Sequence, residues 1–330
     1  MKVLIITYYW PPAGGSGVQR WLKFVKYLPE FDIQPVVYCP ENANYEAVDE
    51  SLEKEVSSKV EVIKHKILEP NSVLKKKKVA TTSVKQRPTK FQKLLQYIRG
   101  NYFIPDARKF WIKPSVKFLT NYLKTNPVDF VISTGPPHSL HLIAQQLKLN
   151  LGVKWIADFR DPMSNLFYND SLFLTEKSKQ KLKNLEQSIL QNADEVITVS
   201  NSIQQEFQKI RKDVYVISNG YDSEVLNDKD ETQLDKKFSL THIGLLPIQS
   251  NPKTLWKVLA DICKENDEFS SDLAIKMIGN VSDEVIAEIE ENSLSKNLEL
   301  VSYVSHTKAI ALQKKSQVLL LCIPNVEKSA

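Results

Sequence analysis

Three short stretches combine residue types able to do chemistry on a phosphorylated substrate. "WPPAGGSGVQRW" (10–21) holds Gly14, Gly15 and Gly17. Placed between a strand and a helix, such glycines let backbone N–H groups approach a phosphate at the positive helix end. The same composition also makes a plain flexible turn. "STGPPHSLHLI" (133–143) sets His138 and Ser139 directly after a Gly-Pro-Pro turn. At a helix start His138 can donate to a phosphate or shuttle a proton, or the two residues can simply cap the helix. His141 is expected on another face, in a structural role. "KWIADFRDPMSN" (154–165) sets Asp158, Arg160 and Asp161 just past an apolar run. Charges so close to a buried strand need partners. They are either an ion pair holding the loop or a carboxylate and a guanidinium aimed at substrate.

Three weaker stretches follow. "VISNGYD" (216–222) reads alone as a linker turn. "THIGLLPIQSNPKTLWK" (241–257) carries a strand to Gly244, then a helix opened by Pro252. That helix start could hold a phosphate, with Lys253 or Lys257 neutralising charge. "MIGN" (277–280) is a similar strand ending at Gly279. A dinucleotide fingerprint fits the first stretch poorly. In Gly15-x-Gly17-x-x the last position is Arg20, too large for close helix–strand packing, and no acid closes the second strand, where Val37-Tyr38-Cys39-Pro40 stands. A nicotinamide-dependent oxidoreductase is disfavoured on that ground.

The elements that must position these residues alternate. Strands are expected at 3–7, 35–39, 60–65, 130–134, 154–158, 195–199 and 214–218, with helices at 18–28, 91–99, 114–125, 138–149, 176–192 and 202–210. After a polar, acidic stretch the rhythm restarts with strands at 240–245, 273–279, 298–303 and 317–323 and helices at 252–266, 283–292 and 307–315. This βαβα order predicts an α/β fold of doubly wound, Rossmann-like domains with parallel sheets, so that residues at strand carboxyl ends line a ligand crevice. We divide the chain into 1–218, with a basic insertion at about 66–113, a linker at 219–238, and a second domain at 239–330 that stops after its fourth strand. A domain ending on an apolar strand predicts a truncated chain.

The totals agree with two domains, since 330 residues exceed one ordinary core. The three cysteines, Cys39, Cys263 and Cys322, are widely spread, which argues against a disulfide framework or a zinc site and for a reducing compartment. The apolar runs at 3–6 and 318–323 are too short to cross a bilayer. From Lys64 to Lys124 there are 16 Lys and Arg against two acids, Glu69 and Asp106. That segment is +14 in a chain of formal net charge +5, which leaves −9 for the rest. Anionic lipid, nucleic acid or a phosphorylated ligand would each suit such a block. Its interleaved basic and aromatic residues (90–118) favour a membrane interface, and no nucleic-acid module is recognisable.

In order and position, "MKVLIITYYWPPAGGSGVQRW", "STGPPHS", "WIADFRDP", "ITVS", "SNGYD" and "HIG…NPKTLW" resemble bacterial group 1 glycosyltransferases (glycosyltransferase family 4) over nearly the whole chain. The resemblance implies a GT-B architecture of two facing Rossmann-like domains. It implies transfer of a sugar from a nucleotide diphosphate sugar to a glycan or lipid-linked acceptor, in cell-surface glycan synthesis. Retention of configuration and no required metal or other cofactor are implied with it. The first domain would take the acceptor and the second the donor, in the cytoplasm, possible partners being the nucleotide sugar and the anionic inner face of the plasma membrane. His138, Arg160 and Asp161 would face the reacting sugar. Gly14, Gly15, Gly17, Gly244, Lys253 and Gly279 would meet the donor phosphates. Asp158 and Ser139 would lie on the acceptor side. Departures stand beside this. Leu245 follows Gly244, Ser250 stands where close relatives tend to have Arg, and Lys253 is the nearest replacement. The paired glutamates expected after the last strand fall beyond residue 330. A truncated, non-catalytic binding module is the alternative.

Overall fold

The computed structural model of the protein describes residues 1–69, 90–165, 172–222 and 233–323. The Lys75–Lys78 run, half of the expected linker (223–232) and residues 324–330 lie outside them. The described residues form two compact units, one ending at 222 and the other beginning at 233.

The first unit is built on seven parallel strands: β1 (Lys2–Ile6), β2 (Gln34–Pro40), β3 (Glu61–His65), β4 (Phe130–Gly135), β5 (Lys154–Phe159), β6 (Glu195–Thr198) and β7 (Val214–Val216). Their spatial order is β3-β2-β1-β4-β5-β6-β7. The apolar runs of β1 and β2 are buried on both faces, as central strands of a parallel sheet must be. Alternation divides β1 between two cores. Leu4 and Ile6 pack with Trp111 and Trp155 on one side, and Val3 and Ile5 with Trp21 and Leu22 on the other. Helix α1 (Ser16–Tyr27) covers the second face by burying Val18, Trp21, Leu22 and Val25.

Helices α2 (Lys90–Tyr102), α3 (Lys109–Thr125), α4 (Ser139–Leu151), α5 (Glu176–Asn192) and α6 (Asn201–Phe207) complete the unit. The sequence predicts α3 to begin at Pro114, yet it begins five residues earlier and keeps Pro114 inside. A proline there removes one backbone hydrogen bond. Trp111 supplies the compensation, being fully buried and stacked on Tyr38 with ring centroids 5.1 Å apart.

The strand order reverses between β1 and β4, where Ile6 pairs with Ser133. On the far side of β4, Gly135 pairs with Phe159 of β5. The loops after β1, β4 and β5 therefore leave the sheet side by side at its switch point, the usual ligand position in such sheets.

The second unit has strands β8 (Phe238–Leu246), β9 (Leu273–Val281), β10 (Leu298–Val301) and β11 (Val318–Leu319). They lie parallel in the order β10-β9-β8-β11. Helices α7 (Lys253–Glu265), α8 (Asp267–Asp272), α9 (Asp283–Glu291) and α10 (His306–Lys315) accompany them. Trp256, Ile275, Met277, Val285 and Ile289 form its core. The last strand is shorter than the sequence predicts: only Val318 and Leu319 pair with β8.

Candidate functional site

The three principal motifs meet at the switch point, and hydrogen bonds tie them together. The loop after β1 is pinned on its outer side, Gly14 N donating to Ala47 O at 2.9 Å. Gly15 has φ +84, a conformation that favours glycine, and stands at the N-cap of α1 without any side-chain cap. Gly15 and Ser16 are exposed, which leaves the first N–H groups of the helix open to a ligand. At Gly17 an added Cβ would stand 3.3 Å from the Tyr9 ring and 3.6 Å from Arg160 Nη1. The missing side chain lets both pack against the start of α1.

Arg160 joins all three loops. Its Nη1 donates to Gly17 O at 2.8 Å and its Nη2 to Pro136 O, while its backbone N donates to Gly135 O at 2.9 Å. The guanidinium also lies over the Tyr9 ring, 5.7 Å from its centroid. Burial pulls its pKa down, and the neighbouring carboxylates of Asp158 and Asp161 oppose that shift. Asp161 is half-buried and makes no side-chain hydrogen bond among the described residues. Burial raises its carboxyl above the usual range, against the pull of Arg160.

Asp158 does something else. It is fully buried, accepting from Arg20 Nη2 at 3.1 Å, Trp21 Nε1 at 2.7 Å and Thr134 Oγ1 at 2.8 Å. Arg20 Nη1 reaches on to Ser218 O at 3.3 Å and Asn219 Oδ1 at 3.1 Å. The bulky residue that spoils a dinucleotide fingerprint is thus a buried cation clamping α1, β4, β5 and the "SNGYD" turn together. Both Asp158 oxygens are occupied by protein donors, so the acceptor-facing position expected for it is not where the carboxylate points. Ser139 is corrected in the same way. Its N–H and hydroxyl both donate to Asp106, each at 2.8 Å. Asp106, rather than His138 or Ser139, satisfies the start of α4. No local pattern in the sequence signals that contact, which spans 33 residues.

His138 is buried, and neither ring nitrogen has a hydrogen-bond partner among the described residues. Burial, and then the charge of Arg160, pushes its pKa down to about 3. The imidazole is therefore neutral near pH 7, with donor and acceptor capacity unspent. His141 is not on a separate face: the two rings are 5.6 Å apart, and His141 stacks on Phe159 at 4.4 Å. Its Nδ1 lies 2.8 Å from Ser133 Oγ, which also accepts from Trp155 Nε1 at 2.8 Å. Gly135 makes room for both rings. A Cβ there would be 2.6 Å from His138 Nδ1 and from His141 Nε2. The i, i+3 spacing of the two histidines on one helix was the available signal for this pairing.

The second unit treats its candidates differently. Gly244 and Gly279 sit inside β8 and β9, not at their ends, and face each other across the ladder. Their φ values are +133 and +110, and a Cβ on Gly279 would be 2.4 Å from Gly244 O. Close approach of the two strands accounts for Gly279, whereas a Cβ on Gly244 would stand in open space and the positive φ alone favours glycine there. Lys253 is the first residue of α7, with Pro252 at its N-cap, and its Nζ pairs with Glu288 at 3.2 Å.

A cavity of about 430 Å³ lined by Leu123, Val128, Leu151 and Lys154 lies at the amino ends of β4 and β5, opposite the motifs, and does not belong to this site. Among the described residues no helix is long and apolar enough to cross a membrane, and no three His, Cys, Asp or Glu side chains gather as metal ligands do.

Comparison with known proteins agrees with this geometry. The chain resembles a solved glycosyltransferase from Rickettsia africae (TM-score 0.58, 15% identity, 96% of this chain against 72% of that one). It likewise resembles Anabaena HepE in complex with UDP and glucose (TM-score 0.59, 12% identity, 100% against 76%). A third likeness is to the sucrose-phosphate synthase of Thermosynechococcus elongatus (TM-score 0.57, 12% identity, 96% against 74%). At these identities the likenesses speak for the fold. No curated protein sequence matches. The profile of glycosyltransferase family 4, however, matches residues 15–225, from the glycine loop through the Arg20–Asp158 clamp to the "SNGYD" turn, and the chain belongs to that family.

Proposed function

We propose that this chain transfers a sugar from a nucleotide diphosphate sugar to a hydroxyl acceptor, with retention at the anomeric carbon. The observation that carries the reading is Arg160, whose guanidinium fastens the glycine loop and the Gly-Pro-Pro loop beside a neutral histidine whose ring has no hydrogen bond among the described residues. Negative charge develops on the departing diphosphate, and open N–H groups at a helix start, backed by the half-buried Arg160, offset it. The acceptor hydroxyl attacks from the same face. A neutral His138 suits hydrogen bonding to a sugar hydroxyl better than carrying a charged proton. Asp161, with no side-chain hydrogen bond among the described residues, would orient the sugar or the hydroxyl. The nucleotide sugar is the co-substrate, and the reading requires no metal. The first unit takes the acceptor side and residues from about 239 the donor side.

The +14 segment extends the reading to the membrane. The enzyme would work in the cytoplasm against the anionic inner leaflet, on a lipid-linked or polysaccharide acceptor of the cell surface. The test is a screen of UDP-, GDP- and ADP-sugars for binding by calorimetry and for release of nucleoside diphosphate. One donor that binds and turns over, and turns over far less with Asp161→Asn, supports the reading. Absence of binding by every donor overturns it. A second reading, a binding module without turnover, has one observation in its favour: Lys253, the candidate cation for the donor phosphates, is paired with Glu288. Binding without release would select it.

A further inference from the structure

Helix α2 is amphipathic the wrong way round for a helix of a folded core. Phe91, Leu94, Leu95, Ile98 and Tyr102 recur at spacings of three and four and fall on one stripe. All five are exposed, Phe91 at 68%, Leu94 at 53% and Tyr102 at 65%. The opposite side of the helix holds it to the unit. Gly100 is buried, and a Cβ there would stand 2.7 Å from Leu172 O. Asn101 donates to Phe173 O at 3.1 Å and accepts from Thr175 N at 2.8 Å. Gly100 and Asn101 fix that side, while these five apolar side chains point into solvent.

The stripe does not end with α2. Lys109 donates to Tyr102 O, and its Nζ sits 5.1 Å from the ring centroids of both Phe103 and Phe110. Phe110 is itself 44% exposed. Lys90 and Arg99 flank the stripe on α2, and Lys113 and Lys117 are exposed on α3. The charge balance of this surface is more one-sided than the sequence count suggests. Both acids of the 64–124 segment are spent on internal contacts. Glu69 is buried against Tyr8 OH at 2.7 Å and Arg108 Nε at 3.2 Å, and Asp106 holds Ser139. No carboxylate of the segment is left to offset the exposed cations around the apolar stripe.

We infer that α2 is an interfacial helix whose apolar stripe inserts among the acyl chains of an anionic bilayer, with the surrounding lysines and arginines on the phosphate headgroups. An apolar stripe rimmed by cations matches that surface in both respects: hydrocarbon to hydrocarbon and cation to headgroup anion. The inference rests on reading the basic segment as lipid-facing, and it adds the element that enters the lipid.

The experiment uses the 330-residue chain in vesicle co-sedimentation, with phosphatidylcholine vesicles and with vesicles containing about a third phosphatidylglycerol. Binding to the anionic vesicles that weakens with salt is expected. The triple variant Phe91→Ser, Leu94→Ser, Ile98→Ser should bind at least about tenfold more weakly with an unchanged melting temperature, since the residues replaced are exposed. Independently, Leu94→Trp should add tryptophan emission that shifts to the blue on anionic vesicles. If the parent binds in a salt-sensitive way but the triple variant binds equally and the added tryptophan does not shift, the inserted helix is refuted while the lipid-facing segment stands. If the parent ignores anionic vesicles, or binds neutral ones equally, the lipid reading itself fails. If the triple variant instead converts a dimer to a monomer in light scattering and vesicle binding is untouched, a second copy covers the stripe and the inference is overturned.

Discussion

The pair of Arg20 and Asp158 gives the sharpest test of how this site is held. Their side chains are 2% and 0% exposed, and the carboxylate also serves Trp21 and Thr134. Asp158→Asn keeps the volume and removes the charge, leaving a guanidinium buried without its counterion. Breaking a buried pair on one side costs about 3–5 kcal/mol. For a unit of this size each kcal/mol moves the melting temperature by about 2–4 °C, so a fall on the order of 10 °C is expected. Urea unfolding followed by tryptophan emission reads this unit, because Trp10, Trp21, Trp111 and Trp155 lie in it and only Trp256 lies outside. An exposed pair is the control: Lys179 and Glu176 are 56% and 89% exposed, and Lys179→Gln should stay within about 0.5 kcal/mol. The double variant Arg20→Met, Asp158→Leu removes both charges and should be less destabilised than the sum of the single changes. A cost below about 1 kcal/mol for Asp158→Asn, or simple additivity in the double variant, would refute the clamp.

Three further outcomes follow from the same contacts. Gly135→Ala drives a methyl into two imidazoles at 2.6 Å and should cost about 1–3 kcal/mol in thermal melts while moving the imidazole resonances of His138 and His141; unmoved resonances would count against the close packing. The folded-state pKa of His138 lies near 3, below its unfolded value, so the unfolded chain binds the extra proton first as pH falls. Stability is complete above about pH 6.5, declines toward pH 3, and should decline less in His138→Gln; equal acid sensitivity of the two proteins would refute the assignment. At Asp222, burial alone would raise the carboxyl, but hydrogen bonds from Tyr27, Lys26 and Lys23 hold it well below the usual range. Its contribution is complete above about pH 4 and shrinks in stronger acid as the pH falls toward the depressed folded-state value, so Asp222→Asn should lower the urea midpoint at pH 7 and lower it less near pH 2.

Much of the site was legible because parallel α/β sheets turn chain order into spatial order. Once 1–160 reads as strand, loop, helix in repetition, the loops after β1, β4 and β5 must emerge from one edge, and "AGGSG", "GPPHS" and "DFRDP" converge. Helix ends were harder. Pro114 signals a helix start, but burial of Trp111 against Tyr38, a residue 73 positions away, decided otherwise. The second unit misled in another way. A glycine at an apparent strand end resembles a phosphate loop, whereas Gly244 and Gly279 pair with each other in a ladder that runs two residues further.

The sequence by itself determined the fold class, the order of strands and helices, and the few residues able to do chemistry, because periodicity and turn composition are local properties of the chain. It also located the one-sided charge of the 64–124 segment. Only the tertiary structure decided which charges work on the protein and which are left for a ligand. Asp158, Arg160 and Asp161 lie within four residues of one another, yet one is sealed beneath Arg20, one ties three loops together, and one has no side-chain hydrogen bond among the described residues. Their hydrogen-bond partners come from other segments, those on α1 more than a hundred residues distant and those on β4 and its loop about 25. A carboxylate's role follows from its desolvation and its donors, neither of which its own neighbours in the chain specify.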